Sequence, residues 1–250
     1  MSKLQRLKSL RAKPSGFSKS DQGKILNTES SFAVKEAYNS IRTNLMFTQK
    51  GEKCPVFVIS SPTANNGKTI NSINLAVSFA QIGKRTLLID ADMRNPTVHR
   101  MFSVPSKNGL SEILAGLTDN ISVTKTEIEN LSILTAGKIP PNPAELLASP
   151  RMDKLLEFVR DRYDCVFIDT PPINLVTDCT VFAGKTTGYI LIVKTDTTDI
   201  HDLRTSVANL NQIDAEILGF IINDVNSKKK KYYSYYKRYS YKYRYNYGNN

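Results

Sequence analysis

From residue 56 onward the chain alternates short, nearly continuous apolar runs with longer segments whose apolar positions recur at helical spacing. The runs at 56–60, 86–90, 131–134, 165–169, 188–193 and 216–222 are rich in Val, Ile, Leu and Phe. Runs of that length without polar alternation suit strands buried on both faces of a parallel sheet. The intervening segments 67–82, 110–115, 152–162 and 199–210 carry the three-and-four spacing of helices, so strands and crossover helices take turns along the chain. Upstream, from about residue 29 to 47, Phe32, Val34, Ala37, Ile41 and Leu45 share helical spacing and predict an amphipathic helix packed on the core. The expected class is α/β, a mostly parallel sheet flanked by helices.

The two ends do not follow this rhythm. Residues 1–24 carry a net +6 and residues 228–250 a net +8, whereas the stretch between them is −3, so the overall charge of +11 belongs to the ends. The organisation read from this is a basic arm over 1–28, one domain over 29–227, and a Lys/Tyr-rich tail over 228–250. The tail holds nine of the twelve tyrosines and no aliphatic side chain. It cannot bury enough apolar surface to offset the entropy of ordering it, and is expected to be disordered. No apolar run approaches the roughly 18–20 residues that a membrane-spanning helix needs, so the expected location is the cytoplasm. Cys54, Cys165 and Cys179 form no CxxC pair, and His99 and His201 are the only histidines. Metal-thiolate sites and Ser-His-Asp hydrolysis are thereby disfavoured.

The chemistry sits where the first run meets the first long helix, in Ser61-Pro-Thr-Ala-Asn-Asn66-Gly67-Lys68-Thr69-Ile70. A phosphate chain needs inward-facing backbone N–H groups, a helix N-terminus, a lysine for the β/γ oxygens and a hydroxyl for Mg²⁺. Asn66, Gly67, Lys68, Thr69 and Ile70 are the stretch placed against the nucleotide. Pro62 stands where the motif GxxxxGK[ST] has its first glycine, so a plain strand-to-helix turn containing Lys and Thr is the alternative. Two acidic strand ends favour the nucleotide: LLIDADMR closes the second run with Asp90 and Asp92, and CVFIDTPP closes the fourth with Asp169. Loops that follow parallel strands share one edge of the sheet, so these three carboxylates are expected to converge on the loop.

These motifs resemble those of the bacterial tyrosine kinases, the autophosphorylating P-loop kinases of capsule and exopolysaccharide synthesis. The likeness covers about 30–225 and extends to the terminal tyrosine cluster. It implies ATP and Mg²⁺ as cofactors, with Lys68 on the β/γ-phosphates and Thr69, Asp92 and Asp169 positioning the ion. Asp90 takes the proton of an incoming tyrosine. Arg94 either stabilises the transferring phosphoryl group or orders its loop. Asn223, by resemblance to related ATPases, contacts adenine, and is otherwise a strand-end turn residue. The family's ExxRxxR assembly motif reads here Glu36, Asn39, Arg42, so Glu36 and Arg42 remain for a ring-shaped homo-oligomer and the central arginine is lost. The acceptors implied are Tyr232, Tyr233, Tyr235, Tyr236, Tyr239, Tyr241, Tyr243, Tyr245 and Tyr247. The expected partners are a membrane-embedded activator of the polysaccharide co-polymerase type, which recruits the kinase to the inner face of the membrane, and a cognate phosphotyrosine phosphatase.

Two other classes compete. A partitioning or division-site ATPase shares the broad fold, but such proteins carry an additional lysine early in the loop, where this chain has Ser61, Pro62 and Thr63. A nucleic-acid-binding tail would pair Lys/Arg with phosphates and stack Tyr on bases. Next to the kinase motifs the nine tyrosines read better as phosphoacceptors, and no nucleic-acid partner is expected. Full phosphorylation would carry the tail from +8 to roughly −6 to −10.

Overall fold

The structure, a computed structural model, describes residues 22–48 and 51–225. The tail tyrosines and most of the basic arm lie outside the described residues. Helix α1 (Phe32–Thr48) precedes β1 (Val56–Ser60), α2 (Lys68–Ala80), β2 (Thr86–Asp90) and the short helices α3 (Val98–Met101) and α4 (Leu110–Leu114). Then come β3 (Thr124–Lys125), β4 (Leu131–Leu134), α5 (Pro143–Ala148), α6 (Pro150–Arg160), β5 (Cys165–Asp169), β6 (Gly188–Lys194), α7 (Ile200–Asn211) and β7 (Ile217–Asn223). The seven strands are ordered β3-β4-β2-β5-β1-β6-β7, and every pairing is parallel except β3 with β4.

The predicted strands are all present, and the reason they lack polar alternation is visible in the packing. Val58, Leu87, Ile89, Val166, Ile168 and Leu191 face one core, while Phe57, Ile59, Leu88, Phe167 and Ile190 face the other. Successive residues of a strand point to opposite faces, so a sheet covered twice needs apolar residues at every position. The second core is keyed by aromatics: Phe167 lies 5.2 Å from both Phe57 and Phe79, ring centroid to centroid.

Three short elements, α3, α5 and β3, were not expected. At two to six residues they are too short to express a period. Helix α1 also differs from its expected face. Only Leu45 is buried, with Tyr38 and Ile41 packed beside it, whereas Phe32 is 68% and Val34 41% exposed. The helix meets α2 through its later turns, so Tyr38, Ile41 and Leu45 form the contact stripe and its first turn faces outward.

The register fixes the site. Asp90 and Asp169 are paired directly across β2 and β5, and Ile59 of the neighbouring β1 is paired with Asp169. Both carboxylates therefore leave the same edge of the sheet, where β1 turns into α2.

Candidate nucleotide and phosphoryl-transfer site

Between β1 and α2 the backbone makes two left-handed steps, Asn65 at φ 64° and Gly67 at φ 83°. Asn tolerates that region better than other side chains, and glycine enters it without steric cost. Gly67 is also needed for space: a Cβ there would lie 2.2 Å from Asn223 Nδ2. The Asn223 amide in turn donates to the Asn66 carbonyl at 2.9 Å, so the end of β7 is stapled to the loop. Replacing Gly67 with alanine is expected to push Asn223 aside and weaken nucleotide binding at least tenfold, measured by equilibrium titration with a fluorescent ATP analogue. Unchanged affinity would show that the loop does not depend on this approach.

Helix α2 then delivers Lys68 and Thr69 to the carboxylates. The Lys68 ammonium lies 3.0 Å from Asp169 Oδ1 and 3.5 Å from Asp92 Oδ2. Thr69 Oγ1 donates to Asp169 Oδ2 at 2.7 Å and accepts from Thr97 Oγ1 at 3.2 Å. Burial works against the charged Lys68, but Asp169 and Asp92 outweigh it and raise its pKa. For Asp92 burial dominates and raises the pKa, opposed by Lys68. Asp90 is raised furthest, by burial first and then by Asp169 and Asp92. Like charges crowded in a low dielectric are paired here by one ammonium.

The residues singled out within the described part of the chain are placed as follows. Lys68 contacts Thr69, Asp92 and Asp169, and Thr69 also contacts Asp169. Asp90 has no exposed surface; one oxygen accepts from the Thr97 and Val98 N–H groups at 3.1 Å each, and the other from Asp92 N–H at 3.3 Å. It thereby holds the start of α3. Arg94 is turned onto Asp178 by two 2.8 Å bonds. Asn66 is buried and its Oδ1 has no hydrogen-bond partner. The Ile70 side chain is partly buried and packs against the second core. Glu36 is exposed and accepts from Asn39, while Arg42 donates to the Ser78 carbonyl of α2 at 2.8 Å.

Several site residues went unnoticed in the sequence. Ser72 donates to Asp169 Oδ1 at 2.9 Å. It stands four residues after Lys68, one helical turn on, and that spacing was the available signal. Thr97 and Asp178 had none, because they reach the site through α3 and through the segment after β5.

The donor set fits a magnesium nucleotide. Mg²⁺ prefers one or two carboxylates, with water and phosphate oxygens completing its shell. Thr69 with Asp169 and Asp92 offers that much and no more, since among the described residues no three His, Cys, Asp or Glu gather into a cage. The unpartnered buried Oδ1 of Asn66 and the glycine-dependent approach of Asn223 belong to the same cradle.

Comparison with known proteins identifies the family. Residues 57–217 match the AAA domain family. The chain is 36% identical over 204 residues to a putative tyrosine-protein kinase CapB of Staphylococcus aureus, covering 81% of this chain and 90% of that protein. It is 35% identical over 208 residues to the tyrosine-protein kinase wzc of Salmonella typhi, covering 82% of this chain but 29% of that longer one. The kinase domain of Escherichia coli tyrosine kinase ETK superposes with a TM-score of 0.77 at 30% identity, over 92% of this chain and 89% of that domain. The septum site-determining protein MinD of Pyrococcus horikoshii shares the fold, with a TM-score of 0.58 at 23% identity over 68% of this chain and 70% of that one. The division-site ATPases thus share the architecture, whereas the likeness in sequence runs to the kinases along most of the chain: the protein belongs to the bacterial tyrosine kinases.

Proposed function

We propose that this kinase transfers the γ-phosphoryl group of ATP to the tyrosines of its own segment 228–250. The observation that carries the reading is the Lys68 ammonium held between Asp92 and Asp169, with the Thr69 hydroxyl on the same Asp169. In transfer, the tyrosine oxygen forms a bond to the γ-phosphorus, the bond from that phosphorus to the ADP oxygen breaks, and the phenolic proton passes to Asp90. A phenol near pKa 10 is a poor nucleophile at neutral pH, so a carboxylate at hand has a clear task. The long 3.3 Å bond to Asp90 Oδ1 leaves that oxygen acceptor capacity. Lys68 neutralises charge on the β/γ oxygens. Mg²⁺ would be held by Thr69, Asp92 and Asp169, and supplies Lewis-acid charge to the phosphates. Of the two roles open to Arg94, its pair with Asp178 favours ordering the turn after β2.

The setting proposed is regulation of capsular or extracellular polysaccharide assembly. Among the described residues no helix is long and apolar enough to cross a membrane. A membrane-embedded co-polymerase-type activator would recruit the kinase peripherally and complete its site. The 23-residue tail spans roughly 75 Å when extended, enough to reach a neighbour in a homo-oligomer. A phosphotyrosine phosphatase would restore the basic tail.

The test is to incubate the full chain with Mg-ATP, alone and with the cytoplasmic segment of a candidate activator, and to map phosphate by tandem mass spectrometry. Phosphate on Tyr232–Tyr247 is the expected result. ATP hydrolysis with every tail tyrosine unmodified would instead favour a nucleotide-switched ATPase.

A further inference from the structure

One side of helix α2 carries polar groups that transfer chemistry does not use. Asn71 Nδ2 donates to the Gly67 carbonyl at 2.8 Å, adding to the helical bond from its own N–H at 3.1 Å. Asn71 Oδ1 accepts from the Tyr38 hydroxyl on α1 at 2.9 Å, and that hydroxyl accepts from Asn74 Nδ2 at 3.2 Å. Asn74 closes the series on the segment before α1: its Oδ1 accepts Leu26 N–H at 2.8 Å and its Nδ2 donates to the Lys24 carbonyl at 3.1 Å. A continuous relay thus runs from the phosphate loop to helix α1 and residues 24–26.

We propose that Tyr38 is a positioning residue for the nucleotide, acting through Asn71 on the Gly67–Lys68 peptide. This rests on the reading that the loop binds the phosphates of ATP. In a trans peptide the carbonyl and the following N–H point in opposite directions. Holding the Gly67 carbonyl along α2 therefore aims the Lys68 N–H out of the helix N-terminus, where an anion is bound. Gly67 needs that restraint, because its left-handed conformation is one of several a glycine visits freely. Tyr38 suits the role: burial raises its pKa, so the hydroxyl stays a donor, and as part of the α1 contact stripe it is fixed by packing. Helix α1 and residues 24–26 are in this way coupled to nucleotide affinity.

Tyr38→Phe keeps the ring and removes only the hydroxyl. It is expected to weaken binding of a fluorescent ATP analogue about three- to tenfold, the range set by one neutral hydrogen bond. KM for ATP should rise by the same factor, with kcat at saturating ATP kept within twofold. Asn71→Leu should weaken binding at least as much, and the double variant should add nothing beyond it, because both act through one link. Each single variant carries the expectation independently, so misfolding of one leaves the other to decide. Affinity in Tyr38→Phe within twofold of wild type, multiplicative effects in the double variant, or a fall in kcat at unchanged KM would each overturn the relay. Wild type that fails to bind the analogue overturns the reading of the loop and the relay with it. Wild-type binding that only Lys68→Met abolishes overturns the relay alone.

Discussion

Lys68→Met is expected to lower transfer to the tail tyrosines by roughly a thousandfold or more, the scale on which a cation aimed at the transferring phosphoryl group contributes. The same substitution should also destabilise the protein, which separates it from a loss of chemistry alone. Lys68 is nearly buried, and it is the cation between Asp169, which has no exposed side-chain surface, and Asp92. Methionine fills similar volume but leaves those carboxylates without their cation, and breaking a buried pair in this way costs about 3–5 kcal/mol. The cost should shrink towards pH 5. Burial already raises the Asp92 pKa against the opposing pull of Lys68; without that ammonium it rises further, and a raised carboxyl stabilises the fold below its unfolded pKa and loses that contribution as pH rises through the folded value. Urea denaturation at pH 7 and pH 5, beside mass spectrometry of the tail, checks both halves. A variant that keeps phosphotyrosine within tenfold of wild type would remove Lys68 from the mechanism. Equal destabilisation at the two pH values would mean that Asp92 does not take up a proton when the ammonium is gone.

Why so much of the fold was legible follows from what the strands do. Residues such as Val166, Phe167 and Ile168 go alternately to two cores, so both faces demand apolar side chains and the strand writes itself as an unbroken run. The aspartates stand out because each ends such a run, and the parallel register does the rest by setting Asp90 beside Asp169. What could not be read depends on contacts between distant segments. Asp178 is buried and paired with Arg94, 84 residues earlier in the chain. Phe32 and Val34 have the spacing of a buried face, but α1 packs on α2 only from Tyr38 onward, and periodicity does not say where along its length a helix meets its neighbour. The Asn71–Tyr38 link was invisible for the same reason. Ser72 was within reach of the sequence, one turn beyond Lys68, and was missed because the loop motif ends before it.

Asp90→Asn should separate function from stability in the opposite sense to Lys68→Met. If Asp90 accepts the tyrosine proton, the amide lowers kcat by about a hundredfold or more while leaving nucleotide affinity within a few-fold. Folding should not suffer in parallel. Asn can still accept the Thr97 and Val98 N–H groups that Asp90 Oδ2 accepts at 3.1 Å. What it removes is the long 3.3 Å bond from the Asp92 N–H and a buried charge whose pKa is pushed well up by burial and by Asp169 and Asp92. The sign is fixed by linkage. Between the unfolded carboxyl value near 4 and the higher folded value, the native state binds more protons, so wild-type stability falls as pH rises through that window. An asparagine does not titrate. The melting temperature of Asp90→Asn relative to wild type, measured with nucleotide and magnesium chelated away, should therefore climb from pH 4.5 to pH 7.5, and the variant should be no less stable than wild type at neutral pH. Functional sites tolerate such misplaced charge because the reaction needs it. A difference that stays flat with pH, or that turns against the variant, would show that Asp90 holds the start of α3 as an ordinary ionised cap. Transfer surviving within tenfold would move the proton acceptor elsewhere, with Asp92, whose carboxylate lies 3.5 Å from the Lys68 ammonium, as the next group to replace.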